Sequence, residues 1–492
     1  MRRLSALLAL LMLLMLLAGC TRDEESADSV DSPVVLNYYT IGEPDRDLAE
    51  VNRALNRILL EKYGFTVNYH KVGWTDYEKY LVAMINTNQP FDIAFTWADN
   101  YETYAVEGTW LDLTPYMQTE GAQMYQAIDE KFWKGVQVDG KLLGVPTNKE
   151  LAVPLQFVFC RELVEKYGID VSNYRTFHSL MPLLKLIAEN EPEYIPLFFD
   201  ASHYDLMSTL GYEYITETLP LVIRSDSGRC RLVNGFENEE VRSLLRTMRR
   251  YYQAGYINAD ASIRTYISRF DDEKIFLRLA SGGPDIDVSL SGSFGYGVIA
   301  VQAAKGIATT ASARAAVMAV SAHSEHPREA VQFLNALNTD PEIRNLLNFG
   351  IEGVHYVLTD EGQVRSISNG YQGVTYTQGN WFILRTREGE SLDRWEVFEK
   401  FNAATQESAL LGFMPDYSAH ADILSEVTRI YEKYYSPLIT GTVDPDVYVP
   451  RMNEELNAAG LDVLREDLQA QIDAWLAEKS ARSTVQNSGT AA

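Results

Sequence analysis

Three short apolar runs, separated by two helical patterns, constrain the first hundred residues more than any other feature of the chain. The runs are VVLNYYT (34–40), FTVNYHKV (65–72) and FDIAFT (91–96). After the first run, Leu48, Val51, Leu55, Ile58 and Leu59 recur at helical steps and Gly64 ends the helix. A second helical stretch covers 74–84, and Pro90 breaks the chain before the third run. Strand–helix–strand–helix–strand is the signature of a parallel α/β layer. In such sheets ligands sit beyond the carboxyl ends of the strands, so segments 40–43, 73–74 and 96–101 should line one rim.

The third run delivers TWADNY, with Trp97, Asp99, Asn100 and Tyr101 in one loop. An aromatic ring stacks on the apolar face of a sugar, while a carboxylate and an amide take its paired hydroxyls. Trp97, Asp99, Asn100 and Tyr101 thus offer in one place what a polar ring-shaped ligand needs. The same logic recurs where YIPLFF (194–199) runs into DASHY, carrying Asp200, His203 and Tyr204. Trp110, in GTWLDL, reads as packing. Trp475 reads as core, because it continues the helical steps of Leu461, Leu464, Leu468 and Ile472. On sequence alone, Glu43, Asp99, Glu150 and Asp200 serve equally well as solvated loop acids.

The N-terminus is a separate signal. Arg2 and Arg3 precede an almost pure Leu, Ala and Met run over 4–17, too short for a comfortable membrane span but suited to a secretory signal. The run ends in Leu17-Ala18-Gly19-Cys20, which looks like a bacterial lipobox, so Cys20 is expected to become the lipidated first residue after removal of 1–19. Residues 20–33 are acidic and small and read as a solvated tether. The formal net charge of −25 argues against a nucleic-acid partner, since phosphate binding needs basic clusters. Cys160 and Cys230 are the other two cysteines. An exported compartment permits a disulfide between them, and two separate buried thiols fit equally well.

Farther along, LAVPLQFVFC (151–160) reads as a strand followed by a short helix closed by Gly168, and RAAVMAV (314–320) as another strand. Pro327 and Asp340-Pro341 mark helix starts. GYGVIA (295–300) loosely matches a dinucleotide fingerprint. Its run continues extended where that motif requires a helix, so it reads as a hinge or turn. Among catalytic and metal signatures, H-E-x-x-H, C-x-x-C, G-x-S-x-G and the Walker loop are absent from the sequence. A glycosidase needs only two opposed acids, and no pair can be picked out.

Several segments in order resemble a known family: the lipobox, FDIAFTWADN, GTWLDLTPY, DGKLLGVPTNKE, LQFVFCRELVEKYGI, GYGVIAV and HPREAVQFLNALNTDPEIRNLLNFGIEGVHY. They resemble the extracellular solute-binding lipoproteins of bacterial ABC importers, in the family-1, carbohydrate-type group. The end of the chain (GNWF, LLGFMPD, LITGTVDPD and the closing helix) is similar to the LipO-like subgroup, whose C-terminal domain has no assigned function.

The resemblance implies an α/β, two-lobed periplasmic-binding-protein-like fold with discontinuous lobes, hinge strands and extra C-terminal helices. Carried onto this chain, the N-lobe is 34–149 plus 298–349 and the C-lobe 150–297 plus 350–415. A helical region covers 416–479 and a disordered tail 480–492. Crossings are expected near 146–150, 296–299 and 350–353. The resemblance ranks Trp97, Asp99 and Asn100 first. Thr40 and Glu43 match the family's first-strand loop, Glu150 lies just past the first crossing, and Trp381 is the candidate for a late aromatic platform. Asp200 and Tyr204 would come from the second lobe. Cys160 stands where the family often has Asn, so no role is carried to it. The implied function is a monomeric, lipid-anchored receptor at the extracytoplasmic face of the bacterial membrane. It would capture a sugar or oligosaccharide by hinge closure, deliver it to a permease, use no cofactor or metal and catalyse nothing. A receptor for a peptide or other polar metabolite, an exported glycosidase or lyase, and a surface adhesion or scaffold protein are the alternatives.

Overall fold

The computed structural model describes residues 33–225, 230–264 and 273–489; the signal segment, Cys20 and almost all of the tether lie outside them. In chain order the principal strands are β1 (Val35–Ile41), β2 (Thr66–Val72), β3 (Ile93–Thr96), β4 (Val145–Pro146), β5 (Leu155–Cys160), β6 (Tyr194–Leu197), β7 (Lys274–Ser281), β8 (Val298–Gln302) and β9 (Val317–Val320).

The first sheet has the order β2-β1-β3-β9-β4. β1 runs parallel to β2, Val35 opposite Thr66 through Ile41 opposite Val72, and parallel to β3. β9 and β4 join antiparallel. The expected parallel layer is thus present, with the Leu48–Tyr63 helix burying Val51, Ala54, Leu55 and Leu59. Gly64 closes that helix in the left-handed region at φ 79°, its N–H donating to the Leu59 and Leu60 carbonyls.

The second sheet has the order β8-β5-β7-β6, in which only β6 and β7 are parallel. Two separate apolar cores follow the two sheets. One gathers residues from 36–151, 308–347 and Tyr371; the other gathers residues from 155–304 and 410–472. The fold is α/β and two-lobed.

The cores divide the chain differently from the expected boundaries. β8 pairs with β5, Val298 opposite Cys160, so 298–304 belong to the C-lobe. The return crossing therefore lies at 303–309, not 296–299. Residues 350–353 are not a crossing. Gly350 follows the Pro341–Phe349 helix into a small satellite core of Phe349, Tyr356, Val364 and Leu384. The third crossing is at 405–409, where Ile307 and Ala308 pair with Gln406 and Glu407. An extended run carries no local mark of which sheet it will join, which is why the positions carried over from the resemblance fall short of both crossings.

Segment 370–378, assigned to the C-lobe from sequence, docks instead on the N-lobe. Lys71 Nζ reaches the Gln372 carbonyl at 2.7 Å and pairs with Asp45 at 2.5 Å, and Arg344 holds the Thr375 carbonyl at 2.8 Å. Gly373 permits this approach, since a Cβ there would lie 2.3 Å from the Leu347 carbonyl oxygen.

The closing helices, Ala421–Ile439, Pro445–Ala458 and Leu461–Gly489, place Val427, Tyr431, Val449, Leu456, Leu464 and Ile472 in the C-lobe core. Trp475 lies only partly buried beside that core, edge-on to Phe413. Cys160 and Cys230 are both free thiols. No described helix is long and apolar enough to cross a membrane.

Candidate functional site

The carboxyl ends of β1, β2 and β3 form one rim, because the three strands are parallel and adjacent. Glu43 follows β1, and its Oε1 accepts from the Trp74 N–H at 3.3 Å after β2. The Trp74 ring stacks on Tyr376, with centroids 5.9 Å apart and planes at 26°. Both rings stay exposed, Trp74 at 44% and Tyr376 at 40%. Neither was singled out from sequence. Trp74 was legible as a residue in a rim loop; Tyr376 was not, because its segment reaches the rim only through tertiary docking.

After β3 the chain turns sharply into the Ala98–Val106 helix through Ala98, whose φ of 39° is unusual for a residue with a Cβ. Such strain costs on the order of 1–2 kcal/mol and persists where surrounding structure enforces it. The turn leaves Trp97 half-buried, stacked on Phe95 at 5.5 Å, with Asn100 also half-buried on the first helical turn. The side chain of Asp99 lies outside what the structure describes.

Two expected rim residues are interior. Tyr101 is fully buried and donates to the Val136 carbonyl at 2.7 Å, because one step along the helix turns it from the rim to the core. Thr40 is fully buried beneath the rim, its hydroxyl 3.4 Å from that of Thr377 in the docked segment.

On the C-lobe, β6 and β7 run parallel, so the turn 200–204 and the loop 282–285 leave the same edge of that sheet. Asp200 is 1% exposed. Its Oδ1 accepts from the Ser202 N–H and the Tyr204 hydroxyl, both at 2.9 Å. The carboxylate is therefore consumed in folding its own turn, which corrects its reading as an open ligand contact. Tyr204 is half-buried; burial, and then the Asp200 carboxylate, push its phenol well above the usual range. Beyond β7, a Cβ on Gly283 would lie 3.2 Å from the Phe398 ring and 3.5 Å from the Glu150 Cβ, and the following Ile286–Phe294 helix buries none of its own residues. That helix adds a second wall element the sequence reading missed.

The crossings form the floor between the two walls. Asn402 uses both ends of its side-chain amide on the first crossing: Oδ1 accepts from Leu151 N–H at 2.8 Å, and Nδ2 donates to the Lys149 carbonyl at 2.7 Å. Glu150 is thus bracketed on both sides. Its Oε1 faces Lys149 Nζ at 3.5 Å, and Oε2, buried, has no hydrogen-bond partner among the described residues. A buried acceptor in this state is costly unless something donates to it. Trp381 sits beside this floor. Its backbone N–H donates to Asn148 and its indole N–H to Thr375, both at 2.9 Å, while its ring packs near Trp395 and Phe398. The indole nitrogen is thereby spent on the backbone, and a half-exposed ring face remains. No group of three or more metal-ligating side chains occurs among the described residues.

Comparison with known proteins matches this arrangement. Residues 58–351 match the bacterial extracellular solute-binding protein family, and 409–477 match a domain of unknown function, DUF3502. A carbohydrate ABC transporter substrate-binding protein of Streptococcus pneumoniae is 30% identical over 96% of this chain and 97% of its own length. The crystal structure of the N-glycan transport solute binding protein NgtS from S. pneumoniae superimposes with a TM-score of 0.83 at 29% identity, covering 91% of this chain and all of that one. Its complex with Man1GlcNAc gives 0.69 at 30% identity (90% of this chain, 100% of that one), and its complex with Man5GlcNAc gives 0.66 at 29% (91% and 99%). With two lobes, three crossings and an aromatic rim facing a second wall, and with these matches, the chain belongs to the bacterial extracellular solute-binding protein family.

Proposed function

We propose that this protein is the lipid-anchored receptor of an ABC importer and that it captures mannosyl-N-acetylglucosamine-type oligosaccharides between its lobes. The observation that carries the sugar reading is the exposed Trp74–Tyr376 stack on the same rim as Trp97, with the unpartnered Glu150 oxygen at the floor. Ring faces take the apolar faces of pyranoses, and a buried carboxylate oxygen takes a hydroxyl and discriminates against ligands lacking one. Glu43 and Asn100 supply further hydroxyl partners at the rim.

Hinge bending supplies the mechanism. Ligand first meets one wall, and contacts from the second favour the closed form, which docks on the permease. The unequal TM-scores against a single relative, 0.83 without a named ligand and 0.69 and 0.66 in its glycan complexes, support a change of arrangement in that protein. The crossings at 303–309 and 405–409 pair with each other, and Asn402, just before the latter, clasps the first crossing at 149–151, which together give this chain the pivot such a motion needs. The protein transforms nothing in this reading. The extracytoplasmic location follows the family, and Cys20 carries the anchor.

The test is a titration of the purified mature chain with Man1GlcNAc, Man5GlcNAc, other glycans and peptides. Tryptophan fluorescence and melting temperature are followed and products assayed. A saturable rise in melting temperature with the mannosyl glycans and no product is expected, since a ligand that binds only the folded state stabilises it. Stabilisation by peptides alone, or release of product, overturns the reading.

A further inference from the structure

The turn 200–204 is held from behind by the domain of unknown function. The Tyr435 hydroxyl donates to the Tyr204 carbonyl at 2.6 Å. The Tyr435 ring lies flat on the His203 imidazole, 4.0 Å between centroids and 3° between planes. Tyr204 passes the constraint forward, because its own hydroxyl donates to Asp200.

The chain entering this domain also forms part of the hinge. Ser408 Oγ donates to Glu213 of the C-lobe at 2.6 Å, while the Ser408 N–H donates to the Ala308 carbonyl in the second crossing. Gly412 N–H donates to the Thr310 hydroxyl at 2.9 Å. The domain's buried residues from Val427 to Ile472 share one cluster with the C-lobe strands. It is built as part of a wall rather than as an appended module.

We propose that the C-terminal domain is a positioning element: Tyr435 fixes the turn 200–204 as a preformed binding wall and ties it to the third crossing, so that ligand seated on that wall biases the hinge. This rests on the oligosaccharide-receptor reading for its ligand. Surface turns open locally at low cost, and ordering one on binding consumes affinity; a turn fixed beforehand avoids that loss.

The experiment compares Tyr435→Phe with Tyr434→Phe in the mature chain. Tyr434 lies on the same helix, and its hydroxyl donates to Glu455 at 2.6 Å, away from the turn. Amide exchange over residues 199–206 is measured without ligand, and Man5GlcNAc affinity by calorimetry. Tyr435→Phe is expected to speed exchange across the turn by about tenfold and to weaken Man5GlcNAc by roughly fivefold, chiefly through faster dissociation. Tyr434→Phe is expected to change neither more than about twofold. Unchanged exchange in Tyr435→Phe, equal effects in both variants, or faster exchange with unchanged affinity each overturn the proposal. If the wild-type chain does not bind Man5GlcNAc, the ligand reading fails by itself, and the exchange comparison still decides whether Tyr435 anchors the turn.

Discussion

Trp74 and Tyr376 stack across two distant parts of the chain, with 5.9 Å between ring centroids, and both rings remain open to solvent. Tyr376 comes from a segment that Lys71, Asp45 and Arg344 fasten to the N-lobe. Two large rings left uncovered there are the surface on which the proposed oligosaccharide would stack.

Removing one ring tests this. Trp74→Ala is expected to weaken binding of Man5GlcNAc about tenfold, equivalent to about 1.4 kcal/mol, and to leave the unliganded melting temperature nearly unchanged. Calorimetry and a thermal melt check both parts. Full retention of affinity puts the platform elsewhere.

Glu150→Gln separates binding from stability. The Oε2 atom has no donor among the described residues, while the Oε1 contact with Lys149 can pass to the amide oxygen, so the change is expected to alter the unliganded melting temperature little while lowering glycan affinity by about tenfold. An unchanged affinity would remove Glu150 from the site.

Asn402→Ala strikes the pivot. It leaves the Leu151 N–H and the Lys149 carbonyl without their partner in a buried setting, for an expected loss of about 2 kcal/mol by urea denaturation. Small-angle scattering of the unliganded variant should show a broader distribution of sizes than wild type. A stable variant with wild-type scattering would show that the amide does not hold the crossing.

Glu213 links the C-lobe to the third crossing and is almost wholly enclosed. Burial raises its carboxyl to about 7, against an ordinary value of 4.5, and neighbouring Asp205 is likewise raised to about 7 from 3.8. A folded-state value above the unfolded one means that the stability contribution is full below the ordinary carboxylate range and is lost as pH rises towards 7. Glu213→Gln is therefore expected to raise the melting temperature at pH 8 by a few degrees and to do little at pH 4. Melts across that range, read against wild type, decide it. An equal shift at both ends would remove the titration argument.

Cys20→Ala tests the anchor. Cells producing the variant should release the protein to the medium or periplasm, and palmitate labelling should vanish. Persistent labelling would place the lipid on another residue.

The parallel layer and the location of its rim were legible because they rest on local patterns. Apolar runs, helical steps and stop signals lie within a few residues of one another, and adjacent parallel strands put their carboxyl ends on one side. Trp97 and Asn100 follow from that rule. Tertiary structure alone decided which residues at those strand ends stay open. Thr40 is covered by Thr377 and Tyr101 is turned inward toward Val136, whereas Asp200 is held within its own turn by Ser202 and Tyr204. Trp74 gains its partner from a segment that no local pattern assigns to the N-lobe. Whether a strand-end side chain faces a cleft or a core depends on what else packs over it. The segment that covers Thr40 and meets Trp74 comes from about three hundred residues away, where pairing is set by shape and polar satisfaction rather than by periodicity.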